Sequence, residues 1–296
     1  MRRVLVTGAG GFLGGHLCRR LAAADRPIEV VALDRFVTPA PLLAGIDGVT
    51  RIAGDVRSAA DVARALRGVD VVFHLAAISD PRACEADPAL ARSVNVDGTA
   101  AVAGAAGGRR LVFLSSAAVY AAESTAPLAE DAPLGPAGVY GETKLAAERL
   151  CRGAIVVRNF NTYGGGQADA FLVPQMMREA IADGAVTIAS CAPVRDFTYV
   201  DDVARALVAL GEHDVEPGVY NLGSGVGVAV GEAALAVGAL AGVPVRCRHA
   251  PVAARAHLVA CAEKLGRSVG WRPEVDLHDG LARTATWFRE TSAEAA

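Results

Sequence analysis

The stretch Arg3-Val-Leu-Val-Thr-Gly-Ala-Gly-Gly-Phe-Leu-Gly14 carries an apolar run followed by glycines at positions 8, 11 and 14. The apolar run is typical of a buried parallel strand, and the residues from His16 onward have the pattern of a helix. A glycine turn between a strand and a helix lets the backbone approach a pyrophosphate, which the N–H groups and dipole of the helix N-terminus stabilise. A plain tight turn is the alternative. The flanking strand and helix, with an acidic residue downstream, favour nucleotide binding.

That acidic residue is Asp34, which closes the next predicted strand, 28–33. A carboxylate there accepts hydrogen bonds from the hydroxyls of an adenosine ribose and repels a 2′-phosphate, so it favours NAD over NADP. NADP stays the alternative because Arg35, the next residue, offers a cation to such a phosphate.

Strands and helices alternate along the first half of the chain. Further strands are expected at 49–53, 69–76 and 110–114, with helices at 59–67 and 88–106 between them. This alternation predicts an α/β fold, a Rossmann-type doubly wound parallel sheet. Such sheets bind ligands outside the carboxyl ends of their strands, and five features fall there: Gly8–Gly14, Asp34, Asp55, Ala76 and Ser116. His74, inside a strand, is expected to be packed in the core.

The strict alternation loosens after Gly166. Helices are expected at 171–182, 202–210, 230–241, 262–269 and 277–289, with a short strand at 186–188. We therefore expect a NAD-binding Rossmann domain over residues 1–163 and a smaller, mainly substrate-binding domain over 164–296, of which a segment around 195–222 packs back on the first. Asp201 and Asp202 are expected either to cap a helix or to lie at its positive end.

The composition excludes several classes of protein. The 296 residues are 52% hydrophobic and 21% charged, with a net charge of −3 and no basic stripe, so no nucleic-acid partner is expected. No apolar run reaches the length of a membrane span, and the N-terminus is unlike a signal peptide, so we expect a cytoplasmic protein without membrane contact. The six cysteines lack metal-ligand spacing and are expected to be reduced thiols, mostly buried, with no metal site.

A tyrosine and a lysine stand four residues apart in Tyr140-Gly-Glu-Thr-Lys144, which opens a helical pattern. Side chains at this spacing lie on one face of a helix. An ammonium beside a phenol stabilises the phenolate and lowers the tyrosine pKa towards that of a general base. Ser116, at the end of an apolar run, can offer a hydroxyl to the same substrate oxygen. By itself the spacing also fits an ordinary amphipathic helix with a surface lysine.

These residues together resemble a known family, the extended short-chain dehydrogenase/reductases, and within it the NAD-dependent epimerase/dehydratase group that acts on nucleotide sugars. The resemblance spans nearly the whole chain. It is carried by Thr7–Gly14, Gly54–Val56, His74–Ala77, Asn95–Thr99, Ser115–Tyr120, Tyr140–Lys144, Arg158–Gly164, Arg195–Asp202, Asn221–Gly225 and Gly270–Pro273.

The resemblance implies a role for each matched position. Tyr140 would be the acid/base, Lys144 would bind the nicotinamide ribose and lower the tyrosine pKa, and Ser116 would bind the sugar oxygen. Asn161 and Arg195 would meet the nucleotide diphosphate of a UDP- or dTDP-linked sugar. The residues implied to bind NAD, besides Tyr140 and Lys144, are Gly8, Gly11, Phe12, Leu13, Gly14, Asp34, Asp55, Val56, Leu75, Ala76, Ala77 and Asn95. For Asn95, an ordinary helix position bonded to a loop is the alternative.

Several positions depart from the family's pattern. Arg255 is displaced from the place of a phosphate-binding arginine, Phe171 stands where the 4-epimerases carry an Asn, and Ala121 replaces a common Gly. The 4,6-dehydratases carry an Asp-Glu pair after the Ser/Thr, where this chain has Ala117-Ala118, so dehydration by that route is not expected.

The resemblance favours a nucleotide-sugar 4-epimerase that oxidises a sugar hydroxyl transiently. The alternative is an NAD(P)-dependent ketoreductase or dehydrogenase on a sugar-like substrate. A non-catalytic NAD-binding sensor is a third reading, but it predicts a damaged catalytic set, whereas Ser116, Tyr140 and Lys144 are all present. The helices at 88–106 and 140–151 are expected to pair with their copies in a homodimer.

Overall fold

The computed structural model describes residues 2–38, 40–121, 126–249 and 257–294, with side chains as far as residue 291. Its strands, in chain order, are β1 Arg2–Thr7, β2 Ile28–Asp34, β3 Val49–Ala53, β4 Val71–His74, β5 Arg110–Ser116, β6 Ile155–Asn159, β7 Asn161–Tyr163, β8 Val186–Ile188, β9 Val194–Tyr199, β10 Gly218–Leu222, β11 Gly227–Ala229, β12 Val245–Cys247 and β13 His257–Leu258.

The α-helices over the same residues are α1 Phe12–Ala22, α2 Ala59–Ala65, α3 Pro81–Ala86, α4 Pro88–Arg92, α5 Gly98–Ala106, α6 Val139–Glu148, α7 Leu172–Ala182, α8 Val200–Glu212, α9 Val230–Ala241, α10 Glu263–Val269 and α11 Leu277–Glu294. Short 3₁₀ turns cover Pro41–Leu43 and Ala117–Val119, and a π-helical turn covers Ser93–Asp97.

Seven strands form one parallel sheet in the order β10-β6-β5-β4-β1-β2-β3. The strand order reverses between β1 and β4: successive strands are added on one side of β1 as far as β3 and on its other side from β4 onward. This reversal places a crevice at the carboxyl ends of β1 and β4. The sheet confirms the predicted α/β, Rossmann-type doubly wound fold. The seventh strand, β10, comes from the segment that was expected to pack back on the first half.

Both faces of the large sheet are buried because apolar residues follow one another along its strands. Val4 and Val6 of β1 face a core that includes Leu17 of α1 and Leu207 of α8. Leu5, between the two valines, faces the opposite core under α2, α5 and α6. Complete burial of a leucine contributes about 1.5–3 kcal/mol, so helices on both faces stabilise the sheet edge that carries the site.

Part of the second half packs around a separate apolar core. β7, β9, β11 and β13 form a four-stranded sheet, and β8 pairs with β12. Helices α7, α9 and α11 bury apolar side chains against this sheet, among them Met176, Val237 and Leu281.

One predicted helix differs from the structure. The stretch 88–106 was expected to be a regular helix, but it contains a π-helical turn over Ser93–Asp97 between α4 and α5. Asn95 explains the wider turn, since its buried amide accepts from Ile78 N (2.8 Å) and donates to Ile78 O (3.1 Å) and Thr143 Oγ1 (3.0 Å). These hydrogen bonds fix the side chain within the turn, and π-helical turns inside helices occur frequently at functional sites.

All six cysteines are free thiols, and Cys18, Cys84 and Cys151 are buried while the other three are partly exposed. Within the described ranges, no helix combines the length and the apolar character that a membrane span requires.

Candidate active site

The glycine turn after β1 is too closely packed to accept any other residue. Gly8 has a φ of +70°, and a β-carbon on it would lie 2.7 Å from the Ala76 nitrogen. Gly11, the N-cap of α1, has no side chain with which to cap the helix. The first N–H groups of α1 therefore remain available to an anionic ligand, as a dinucleotide pyrophosphate requires.

Asp34 lies at the carboxyl end of β2, beside this turn. Its Oδ2 accepts a hydrogen bond from Gly10 N at 3.0 Å, and its Oδ1 accepts from Phe36 N at 3.3 Å. The two bonds fix the carboxylate at the rim of the crevice, next to Arg35, where it can meet the hydroxyls of a ribose.

Asp55 occupies the end of β3 and is held by Arg57. The Arg57 guanidinium donates from Nε at 3.0 Å and from Nη2 at 2.6 Å. These side-chain hydrogen bonds lower the pKa of Asp55 to about 2. Asp55 N in turn donates to Asp61 Oδ2 at 3.1 Å, so the backbone beside Val56 is fixed at the crevice.

Helix α6 places Tyr140 and Lys144 over the end of β5. Lys144 is 3% exposed. Its ammonium donates to Leu114 O at 2.6 Å and lies 4.8 Å from the centre of the Phe113 ring. Burial lowers the pKa of Lys144 to about 8, which leaves its charge dependent on nearby anions.

Ser116, the last residue of β5, lies beside the Tyr140 phenol. Burial raises the pKa of Tyr140 above its ordinary value, and a side-chain hydrogen bond with Ser116 opposes that shift. Ser116 Oγ also accepts from Ala118 N at 3.1 Å, and this bond orients the hydroxyl. The resting phenol is therefore protonated and needs a nearby cation to act as a base.

These features open into one cavity of about 500 Å³. Fifteen of the predicted site residues line it: Gly8, Gly11, Phe12, Leu13, Gly14, Asp34, Asp55, Val56, Leu75, Ala76, Ala77, Ser116, Tyr140, Lys144 and Asn161. The glycine turn and the Tyr140–Lys144 pair, more than a hundred residues apart in the chain, thus face the same space.

Two predicted site residues do not line the cavity. Asn95 is 1% exposed and is bonded to Ile78 and Thr143. Arg195 lies on β9 next to Leu258 of β13, which does line the cavity, and its Nη1 donates to Val194 O at 2.8 Å. Arg255 lies outside the described residues.

His74 is a packed histidine, as predicted. Its Nδ1 lies 2.7 Å from Thr7 Oγ1 and its Nε2 lies 3.0 Å from Thr99 Oγ1. Complete burial lowers its pKa to about 3, so it stays neutral at physiological pH.

Part of the cavity wall was not predicted from the sequence, above all Gln167. Its Nε2 donates to Thr162 O at 2.8 Å, whereas its buried Oε1 has no hydrogen-bond partner among the described residues. The signal that could have found it is the run Gly164-Gly-Gly166, which lets the loop pack against Val200 and Trp287. Other lining residues outside the prediction are Ile78, Ser79, Pro81, Val94, Asn159, Phe160, Thr162, Phe171 and Leu258.

The fold and the cavity together are typical of an enzyme that binds a dinucleotide at the edge of its parallel sheet. The model of the NAD dependent epimerase/dehydratase family matches residues 4–223. The chain belongs to this family, and its cofactor is NAD. The glycine turn, the uncapped start of α1 and the Asp34 carboxylate fit that cofactor.

The relatives carry several activities on the same scaffold. The UDP-glucose 4-epimerase of Streptomyces lividans is 33% identical over 309 residues, which cover 92% of this chain and 91% of that protein. The dTDP-glucose 4,6-dehydratase of Streptomyces griseus is 30% identical over 314 residues, covering 97% and 94%. The structure of MoeE5 in complex with UDP-glucose and NAD has a TM-score of 0.88 and 31% identity, covering 98% of this chain and 99% of that one.

Proposed function

We propose that the chain is a nucleotide-sugar 4-epimerase that acts on a UDP- or dTDP-linked hexose. The observation that carries the proposal is the single cavity in which Ser116, Tyr140 and Lys144 face the glycine turn. A 4-epimerase of Streptomyces lividans is among the relatives that match almost the whole chain.

Bound NAD supplies the hydride acceptor and later the hydride donor of the reaction. Tyr140 removes the proton of the sugar 4-hydroxyl while the hydrogen on the same carbon leaves as hydride, so that the C–O bond becomes a carbonyl. Ser116 binds that oxygen, and the Lys144 ammonium stabilises the phenolate. After the ketone has rotated, hydride returns to its other face and Tyr140 gives the proton back.

The wall beside Ser116 supports epimerisation over dehydration. Ala117 and Ala118 line the cavity directly after Ser116, and a methyl group transfers no proton. Elimination of water needs a further acid and base at the substrate. These two alanines therefore favour a reaction that uses Tyr140 alone.

The proposal extends to the rest of the substrate. Asn161 lines the cavity, and we assign it and Arg195 to the nucleotide diphosphate, because amide and guanidinium donors suit phosphate oxygens. The division into a NAD-binding part over 1–163 and a mainly substrate-binding part over 164–296 remains a prediction. So does the homodimer paired through 88–106 and 140–151, which light scattering of the purified protein would test.

A sugar dehydrogenase or ketoreductase is the second candidate. It uses the same first half-reaction and releases the ketone. Phe171 supports this candidate, because an aromatic ring lines the cavity at a position where the resembling 4-epimerases carry a nucleotide-facing Asn.

Proton NMR of the purified protein tests the proposal. UDP-glucose, UDP-N-acetylglucosamine, UDP-glucuronate and dTDP-glucose are supplied one at a time, without added NAD or NADH. Formation of a 4-epimer supports the proposal, because the hydride is then recycled within one site. Absence of product, with NADH or NADPH consumed once a keto-sugar is supplied, contradicts epimerisation and supports the second candidate. Binding of NAD without turnover of any sugar supports the sensor.

A further inference from the structure

One face of α6 presents a row of three polar side chains to the end of β5. Tyr140, Lys144 and Glu148 are spaced four residues apart, so they lie one above another on the helix. Each contacts one of the consecutive residues 114–116 of β5. The first two form the proposed redox centre, and the third has no role in the proposed chemistry.

Glu148 is held by two donors from neighbouring strands. Ser115 Oγ donates to Glu148 Oε1 at 2.5 Å. Arg158 of β6 donates from Nε to Oε1 at 3.0 Å and from Nη2 to Oε2 at 2.8 Å. The side chains of Arg158 and Glu148 are 4% and 8% exposed, so the ion pair is buried. Ser115 and Arg158 face each other across the ladder of β5 and β6, and Glu148 therefore ties α6 to both strands.

The opposite side of Arg158 is equally well anchored. Its Nη1 donates to Glu130 O at 2.9 Å, and its guanidinium lies 4.8 Å from the centre of the Tyr120 ring. The Tyr120 hydroxyl donates to Asn221 Oδ1 of β10 at 2.7 Å. A buried ion pair of this kind adds little net stability over apolar packing, so a role in the site explains its presence better than stability does.

We propose that Glu148 is a positioning residue of the redox centre, which fixes α6 against β5 and β6 and supplies the negative charge that keeps Lys144 an ammonium ion. Its effect on turnover rests on the proposed function, whereas its effect on Lys144 does not.

The charges around Lys144 support this assignment. Burial lowers the pKa of Lys144 to about 8, and Cys151, Glu148 and Cys84 act in the opposite direction. Burial raises the pKa of Cys151 to about 12 and also raises that of Cys84, so both thiols are neutral at physiological pH. Among these three groups, the carboxylate of Glu148 is left to balance the ammonium.

Neighbouring titratable groups on β4, α3, α4 and the π-helical turn do not replace it. His74 of β4 is neutral, because burial lowers its pKa to about 3. Glu85 of α3 accepts from Val139 N at the far end of the helix. Arg92 of α4 pairs with Glu142 on the exposed face of α6, and Asp97 of the π-helical turn is exposed.

The composition of the chain makes a direct measurement possible. Lys144 and Lys264 are its two lysines, so the holoenzyme labelled with ¹³C-lysine gives two Cε resonances. A Lys264→Arg variant assigns them. Titration from about pH 6 to about pH 11 then yields, without any substrate, the pH at which Lys144 is half deprotonated, called the Lys144 midpoint below.

Glu148→Gln keeps the shape of the side chain and removes its charge. We expect the Lys144 midpoint to fall by about one pH unit or more, since an opposite charge nearby shifts a pKa by about 1–3. Glu142→Gln is the matched control on the same helix, because Glu142 lies on the solvent side with Arg92. It should leave the midpoint unchanged. An unchanged midpoint in Glu148→Gln overturns the proposal.

Loss of one partner leaves Arg158 as a buried, unpaired charge, so Glu148→Gln alone can fail to fold. The double variant Glu148→Gln/Arg158→Met removes both charges together. The Lys144 midpoint should fall in it as well, but by less than in Glu148→Gln, because the repulsion between Arg158 and Lys144 is removed at the same time. If the double variant folds and Lys144 titrates as in the unaltered protein, the assignment is wrong.

Turnover provides the second readout. In the unaltered protein the rate should decline above about pH 8 as Lys144 loses its proton. Glu148→Gln should move this decline to lower pH and reduce kcat about tenfold at pH values near it, with little change in KM. Absence of turnover with every sugar would count against the proposed function alone, because the lysine titration still tests Glu148.

Discussion

The backbone of Gly8 passes so close to that of Ala76 that a β-carbon on Gly8 would lie 2.7 Å from the Ala76 nitrogen and 2.8 Å from its α-carbon. Gly8 directly follows β1 and Ala76 lies two residues beyond β4, the neighbouring parallel strands between which the strand order reverses. The crevice between them is therefore bounded by bare backbone, which is what a dinucleotide needs in order to approach the start of α1.

Gly8→Ala should weaken NAD binding by at least about tenfold, because the new methyl group displaces the turn from Ala76 and φ of +70° is unfavourable for alanine. Calorimetric titration with NAD measures the loss. Gly45→Ala is the matched control: Gly45 also has a positive φ, of +65°, but no atom lies within 4 Å of its β-carbon position. That variant should lose about 1–2 kcal/mol of stability and keep its affinity for NAD. Equal affinities in the two variants would contradict the assignment of the turn.

Tyr140→Phe should reduce kcat at least a hundredfold, roughly the lower end of what a positioned acid/base contributes, while NAD binding is retained. Tyr220→Phe is its control. Tyr220 lies in β10, away from the cavity, and its phenol hydroxyl donates to Glu216 O at 2.7 Å. Kinetic assays and NAD titrations on both variants separate chemistry from binding. Full activity in Tyr140→Phe would rule out the proposed mechanism.

The parts of the site that follow a strand could be predicted from the sequence. Asp34 and Ser116 each end an apolar run, and parallel strands bring such ends to one edge. The structure places both in the same cavity. Tyr140 and Lys144 were predictable for a different reason, since their four-residue spacing fixes their common face once the segment is helical.

The rest depends on contacts that local patterns do not encode. Asn95 lies in a π-helical turn because its amide meets Ile78 and Thr143, which lie 17 and 48 residues away in the chain. Gln167 follows the glycine loop 164–166, which packs closely against Trp287 of α11. This packing sets the path of the loop and so brings Gln167 to the cavity. In both cases tertiary packing decides the position, so propensity and periodicity carry no signal of it.

His74 should make the protein sensitive to acid. Its pKa is about 3 in the folded state against an ordinary value of 6.5. Between pH values of about 3 and 6.5, His74 is therefore protonated in the unfolded chain and neutral in the folded one. Its contribution to stability is complete above 6.5 and is lost as the pH falls, by up to about 1.4 kcal/mol per pH unit.

Urea unfolding at about pH 7.5 and about pH 5 measures this dependence. At the higher pH, His74→Gln should be less stable than the unaltered protein, because it disrupts the hydrogen bonds of His74 with Thr7 and Thr99. On acidification, however, the variant should lose less stability than the unaltered protein. His278→Asn, on the exposed face of α11, is the control and should behave as the unaltered protein does. The same acid dependence in His74→Gln would show that other groups cause it.

A buried carboxylate joins α8 to the segment before α11. Asp202, in the first turn of α8 as predicted, is 2% exposed. Its Oδ2 accepts from Glu274 N at 3.0 Å and from Val275 N at 2.9 Å, and its Oδ1 accepts from Arg205 at 2.6 Å. Trp271 Nε1 donates to its backbone oxygen at 3.0 Å.

Asp202→Ala should therefore destabilise the protein by about 3–5 kcal/mol, because two partly buried amides and a guanidinium lose their common acceptor. The neighbouring Asp201 offers a matched control, since its side chain is 52% exposed and its contact with His16 spans 3.7 Å. Asp201→Ala should cost less than about 1 kcal/mol. Urea unfolding of both variants makes the comparison. Equal losses would mean that the segment before α11 is held by its apolar packing, and that the Asp202 hydrogen bonds add nothing to it.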